Sequence, residues 1–262
     1  MGKQQTLLQF TGRVGDMIGY RRGGRYFMRT APEKVNQSEA TKAAGRLFGA
    51  ASACGKYIRE AVMPALDISY DTSVVNRLNS LLYREALTNP DWKDLSTLTG
   101  FSFSRYTRLG DILRGTPRIQ RDYHGNILVL LDHPGSLNKT PPKATHIAIK
   151  AIAMNPAQRK DAVATEPVLI DLRNPPQELT LTIPYAAQDA AAVILEVIFV
   201  TKENGVHYPI RNRRFYAAEV VSVIETVAAK PKRSYGRPGI KKLHGQAPAR
   251  TGRKKGGSPP RE

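Results

Sequence analysis

The chain has a single cysteine, Cys54, so no disulfide can form within it. Cys54 falls on an apolar helical stripe and reads as a small core residue, not a reactive thiol. No stretch approaches the roughly 18 apolar residues that a membrane-crossing helix needs, so no membrane span is expected. The opening MGKQQTLLQF lacks the apolar run of a secretory signal. These absences place the protein in the cytoplasm, or in a particle assembled there. Met1-Gly2 with Thr6 fits the outline of an acylation signal, but no polybasic stretch follows at once.

Catalytic and metal-binding patterns are also missing. The five histidines, His124, His133, His146, His207 and His244, show no HExxH or paired spacing, and one cysteine cannot complete a zinc set. Gly12, Gly15 and Gly19 match neither the phosphate-binding Walker loop nor the dinucleotide fingerprint. Asp132-His133 precedes Pro134-Gly135-Ser136, which brings acid, base and hydroxyl together in sequence. Adjacent residues on a turn rarely point at one another as a triad requires, so this is read as a loop. The expectation is a non-enzymatic protein with no cofactor and no metal.

Acidic residues are scarce: 22 Asp and Glu face 40 Lys and Arg, a net charge of +18 that favours polyanionic or acidic partners. The excess is not spread evenly. Residues 1–60 carry 11 basic and 4 acidic residues, residues 61–229 carry 18 and 17, and residues 230–262 carry 11 and 1. A neutral body with two basic ends is the consequence.

At the first end, Gly23-Gly24 suits a two-residue type I′ turn, which needs two residues at positive φ. That turn sets a hairpin register in which Arg22 faces Arg25, Tyr20 faces Phe27, Ile18 faces Arg29, and Arg21 meets Tyr26 on the other side. Arg21, Arg22, Arg25 and Arg29 can meet phosphates, and Tyr20, Tyr26 and Phe27 can stack bases. The competing structural reading has the aromatics covering the helix that follows while the arginines face water.

Asn36, with Glu39 three residues later, reads as the cap of a helix that runs to Pro64. Its apolar face comprises Ala40, Ala43, Ala44, Leu47, Phe48, Ala51, Cys54, Ile58, Ala61 and Val62. Gly45, Gly49 and Gly55 each weaken the helix by about 1 kcal/mol relative to alanine, so a close-packed neighbour is expected. A second helix spans about Thr72 to Leu87, antiparallel to the first, and ends at Asn89-Pro90. From Trp92 to Thr116 the pattern is irregular, with Phe101 and Phe103 alternating in a short strand.

From Pro117 the period changes to two. Seven runs, Ile127–Leu131, Thr145–Ala153, Pro167–Leu172, Leu179–Ile183, Ala192–Thr201, Val206–Ile210 and Arg214–Ile224, are bounded by turn-rich segments. Val193–Val200 is more continuously apolar than the other runs and should be central. The fold class is therefore α+β: a hairpin and helical pair, then an immunoglobulin- or fibronectin III-like antiparallel β-sandwich without the antibody-type disulfide. The expected organisation is an arm over 1–35, a helical region over 36–116, the sandwich over 117–228 and a basic tail over 229–262. The tail has too few apolar residues to offset the entropy of ordering and is read as disordered. It offers Lys241, Lys242, Arg253, Lys254 and Lys255 as further phosphate contacts.

Gly12, Val14, Gly15, Gly19, Tyr20, Gly23, Gly24, Tyr26, Arg29 and Pro32, followed by a helix with Arg46, Leu47 and Phe48, resemble the opening of a family of uncharacterised proteins known mainly from Bacteroidota. The motif covers residues 12–62, and residues about 140–225 match only in pattern. The resemblance implies an immunoglobulin-like segment after the helices. Similar openings in phage and prophage proteins imply an assembly role by association. No activity is established for the family, so no catalytic residue is implied, and the acid-poor tail is not part of its pattern. The function expected is a structural or assembly protein with a protein partner or self-association. The alternative is a nucleic-acid-binding protein that uses its basic ends on DNA or RNA.

Overall fold

A computed structural model describes residues 2–3, 9–33, 37–67, 72–89, 95–156, 162–185 and 190–225. The chain opens with strands β1 (Gly2–Lys3), β2 (Gly12–Val14), β3 (Met17–Arg22) and β4 (Arg25–Thr30). Helices α1 (Glu39–Val62), α2 (Ser73–Thr88) and the single turn α3 (Leu109–Ile112) follow. The rest is strand: β5 (Arg118–Arg121), β6 (Ile127–Asp132), β7 (His146–Met154), β8 (Val163–Ala164), β9 (Val168–Asp171), β10 (Glu178–Ile183), β11 (Ala191–Glu203), β12 (Val206–Pro209) and β13 (Tyr216–Ile224). The protein is a mixed α+β structure with antiparallel sheets throughout. Each of the seven apolar runs coincides with a strand. The two-residue strands β1 and β8, and β2 and β5, lack an alternating apolar pattern long enough to be read from sequence.

The strands form three sheets: β1-β4-β3-β2; β10-β6-β5; and a six-stranded sheet around the central pair β11 and β7. On its other edge β11 pairs with β13 and then β12, while β7 pairs with β9 and β8. Both faces of β11 are covered, and its residues alternate between two cores. Val193, Leu195, Val197 and Phe199 join Ile147, Ile149, Ile127, Val129 and Leu181, filling the space between the six-stranded and three-stranded sheets. Ile194, Ile198 and Val200 join Ala148, Ile152, Met154, Ala218 and Val220 on the opposite face, which α1 and α2 cover with Ile58, Val62, Leu78 and Leu82. A strand buried on both faces must be apolar at successive positions, which is why the Ala191–Val200 run shows almost no alternation.

The cap of α1 is Ser38, whose Oγ accepts the Thr41 N–H at 3.2 Å. Asn36, expected in that role, lies outside the described residues. Glu39 begins the helix and pairs with Lys42 at 2.7 Å instead of closing a capping box. Only the second half of α1 is buried. Ala51, Gly55, Ile58, Ala61 and Val62 face the core, but Ala40, Ala43, Ala44 and Phe48 of the same apolar stripe are exposed. A helical period defines a face without saying how far a neighbour extends along it.

Contacts of Phe48 with Tyr83, and of Gly55 and Arg59 with Asn79, run in opposite chain directions, so α1 and α2 are antiparallel. Gly55 alone of the three helical glycines meets its neighbour closely: an added Cβ would collide with the Asn79 side chain, whereas Gly45 and Gly49 face open space. Segment 100–103 extends the sheet beside β13. Gly100 and Phe103 N–H groups donate to Val220 and Ala218 carbonyls at 2.8 and 2.7 Å, and Val220 N–H donates to Phe101 O at 2.9 Å.

One carboxylate interrupts the helix-facing side of the sheet. Glu196 is 1% exposed, and its Oε1 and Oε2 accept the Asp67 N–H at 3.0 and 3.2 Å just beyond α1. Across the strand pair stands Lys150, whose Nζ reaches Asp67 Oδ1 at 2.7 Å. Burial, with the Asp67 carboxylate nearby, pushes the Glu196 carboxyl from its ordinary value of 4.5 up to about 7, against the lowering effect of the Asp67 N–H and Lys150. Beside it the buried Tyr216 phenol is pushed upward, first by burial and then by Glu196.

A fragment beginning at Pro117 keeps its antiparallel strands but exposes the helix-facing apolar surface, so it should give a β-type circular-dichroism spectrum while self-associating and binding a hydrophobic dye. A monomeric fragment that ignores the dye would show that the helices do not protect that face.

Between about pH 4.5 and 7 the folded chain keeps a proton on Glu196 that the unfolded chain releases, so this group's contribution to stability is greatest at low pH and falls as pH rises through that window. The full shift corresponds to roughly 3 kcal/mol at about 1.36 kcal/mol per pH unit. The drop in melting temperature from pH 5 to pH 8 should therefore be several degrees smaller in Glu196→Gln than in the parent. An identical drop in both proteins would exclude this origin.

Candidate polyanion interface

The N-terminal ribbon is built locally. Gly23 and Gly24 sit at φ 56° and 77°, the positive values that the tight turn demands and that side-chain-bearing residues adopt with difficulty. The turn enforces the register Arg22 opposite Arg25, Arg21 opposite Tyr26, Tyr20 opposite Phe27 and Ile18 opposite Arg29. Side chains alternate across the pleat, so Arg22, Arg25 and Arg29 share a face with Tyr20 and Phe27, while Arg21 and Tyr26 share the other.

Tyr20 and Phe27 stack with ring centroids 5.8 Å apart. The Arg21 guanidinium lies 5.6 Å from the Tyr26 ring centroid, a cation–π arrangement. Arg21, Arg22, Arg25 and Arg29 are all exposed, and none forms an ion pair among the described residues. On the Arg21 face, Gly19 is buried under Phe10, whose ring and carbonyl leave no room for a Cβ.

No ribbon residue belongs to either hydrophobic core. Tyr20 and Phe27 stack on each other within the ribbon, and among the described residues nothing lies in contact range of a Cβ built at Gly45 or Gly49 of α1. The arrangement presents guanidinium groups to solvent beside aromatic rings, a chemistry suited to phosphates and stacked bases. The tail candidates Lys241, Lys242, Arg253, Lys254 and Lys255 lie outside the described residues.

Asp132 is engaged by Arg118 at 2.8 Å, and His133, at φ 49°, turns the chain with its carbonyl accepting the Ser136 N–H at 2.8 Å. His146 and His207, far apart in sequence, come within 4.8 Å by ring centroids, but among the described residues no three metal-binding side chains gather. Cys54 is half-buried, and burial raises its thiol to about 11, which keeps it protonated at neutral pH. Among the described residues no helix is long and apolar enough to cross a membrane.

Sequence reading missed a second cationic surface. Arg77 and Arg84 on α2 stand opposite Arg105 and Arg108 across a cleft. The segment 61–229 is neutral overall, and only the fold brings these four together. Comparison of the chain with models of known families, with curated proteins and with solved structures finds no match.

Proposed function

We propose that this is a non-enzymatic interaction protein whose N-terminal ribbon engages nucleic acid. The observation that carries the reading is a row of exposed arginines with no ion pair among the described residues, interleaved with aromatic rings and outside both cores. Structural arginines are normally paired or laid against the body. The basic tail adds electrostatic attraction of the same sign.

A second reading, assembly with copies of itself, is favoured by the exposed half of α1. Ala40, Ala43, Ala44 and Phe48 form an apolar stripe with open space at Gly45 and Gly49, where another helix can approach closely. The resemblance of the opening to a Bacteroidota family, and to phage proteins by association, supports this reading. So does an immunoglobulin- or fibronectin III-like assignment of the β region, for which the shared core between two antiparallel sheets argues. Either role suits the cytoplasm or a particle assembled there.

Binding to duplex DNA, measured by fluorescence anisotropy at increasing salt, tests the first reading. Log K should fall against log salt by about 0.9 per phosphate contact, and alanine at Arg21, Arg22 and Arg25 should reduce that slope by up to about three contacts' worth. Removing residues 230–262 separates the tail's share. A full chain that shifts neither DNA nor RNA at about 50 mM salt would eliminate nucleic acid as the partner.

Light scattering tests the second reading. A concentration-dependent oligomer that Ala44→Glu converts to monomer supports it, and a monomer at every concentration refutes it.

A further inference from the structure

The cleft between α2 and the segment that follows has the features of a built anion site. Arg77, Ser80, Leu81 and Arg84 recur at three- and four-residue intervals, which places them on one face of α2. Opposite them, Arg105 and Arg108 extend from a segment whose start is held as an extra strand against β13. The cleft is open to solvent and has a volume of about 580 Å³. That lies within the range of small-molecule sites, roughly 300–1,000 Å³.

The walls are fixed before any ligand arrives. Arg77 Nη1 donates to Ser102 O at 2.7 Å, and its guanidinium lies 5.4 Å from the Phe101 ring centroid. Ser102 and Ser104 are buried, the Ser102 hydroxyl donating to Ser104 O at 2.8 Å and accepting the Ser104 N–H at 3.2 Å. Arg84 Nη2 donates to Ser80 Oγ at 3.3 Å. Arg84, Arg105 and Arg108 are exposed, and no carboxylate lines the cleft among the described residues. Asp111, the acid nearest in sequence to Arg105 and Arg108, accepts the Arg108 backbone N–H through Oδ2 at 2.8 Å.

The exposed guanidinium groups of Arg84, Arg105 and Arg108 around one concavity repel each other unless an anion lies between them, and none of the three belongs to either core. Planar guanidinium forks match phosphate oxygens in pairs, which a lysine cannot do. The strip of Thr97, Thr99 and Leu81 supplies hydroxyls and an apolar surface for the remainder of a ligand.

We infer that this cleft binds a phosphorylated ligand of nucleotide size. Its phosphates are held by Arg84, Arg105 and Arg108 against Arg77, and its uncharged part lies along Leu81. A neighbouring shallow cleft lined by Tyr106, Arg211, Arg213 and Arg214 extends the positive field along the surface from Arg105. The site stands apart from the ribbon and does not depend on the ribbon's role.

Titration calorimetry on the full chain at about 50 mM salt, with ADP, inorganic pyrophosphate and adenosine as probes, tests the assignment. ADP and pyrophosphate should bind with one site per chain, and adenosine at least about tenfold more weakly, since the charge-assisted bonds go to phosphate. A pair of substitutions, Arg105→Glu with Arg108→Glu, should weaken ADP binding by about tenfold or more, and Arg84→Glu on the opposite wall should do the same. These side chains are exposed, and unchanged circular dichroism and melting temperature confirm that the fold persists. Alanine at Arg21, Arg22 and Arg25 should leave ADP binding unaltered, which separates this site from the ribbon. An oligonucleotide bearing a 5′-phosphate that competes with ADP, where its 5′-hydroxyl counterpart does not, identifies a chain end as the source of the phosphate; lack of competition by both identifies a free ligand.

The inference is overturned by equal binding of ADP and adenosine. It is also overturned by ADP affinity unchanged in both the Arg105/Arg108 and Arg84 variants, or by no ADP binding at about 1 mM, the weak limit at which about 4 kcal/mol of binding energy would still register.

Discussion

The fold depends on β11 being covered on both faces. Ten successive residues from Ala191 to Val200 are buried, and the pleat sends alternate side chains into two separate cores. A one-residue slip would exchange Leu195 and Phe199 for Glu196 and Val200, placing a carboxylate between the two sheets. Register is therefore enforced by chemistry as well as by backbone pairing. The Asp67 N–H and the nearby Lys150 ammonium give Glu196 a polar environment only on the side where the chain leaves α1. Without the Asp67 N–H the Glu196 carboxyl would be a buried polar group lacking that hydrogen bond, and loss of Lys150 would push its pKa further upward.

This constraint explains which parts of the fold could be read in advance. Strands are legible where the apolar period is local, so β6, β7, β10, β11 and β13 stand out. The ribbon is legible because its register follows from two glycines and the pairs beside them. What the helices face is a different kind of information. The stripe on α1 runs unbroken from Ala40 to Val62, yet the sheet beneath it reaches only the second half, and no period within the helix marks that limit. Likewise Phe101 and Phe103 suggest a strand, but its partner, β13, lies more than a hundred residues away. Glu196 is visible as the lone charge in an apolar run, though its partners Asp67 and Lys150 are contributed by distant segments.

Charge was legible in its distribution along the chain and hidden in its distribution in space. Counting places the basic excess at the two ends, and the exposed arginines of the ribbon agree with that count. The middle balances almost to zero, which hides a local imbalance. Its acids are spread over separate roles: Asp111 caps a helical turn, Asp132 pairs with Arg118, Glu196 sits in the core, and Glu219 accepts the Leu109 N–H. Arg84, Arg105 and Arg108 are left facing one another without a carboxylate among the residues that line the cleft.

That sorting also separates the two cationic surfaces physically. The ribbon's arginines lie on a narrow, two-sided sheet with water around them, where a charge interaction is weakened by screening over about 8–10 Å and contributes mainly to attraction and on-rate. The cleft's arginines are held on a walled surface with Arg77 already fixed by a backbone carbonyl and an aromatic ring. Little side-chain freedom remains to be lost at Arg77, whereas Arg84, Arg105 and Arg108 are exposed. A long, regular polyanion matches the first geometry, because many weak contacts along a chain add together. A compact anion matches the second, because one small ligand can satisfy several guanidinium groups at once. The same residue type thus stands in two settings, a two-sided ribbon with exposed guanidinium groups and a cleft in which one guanidinium, that of Arg77, is already immobilised.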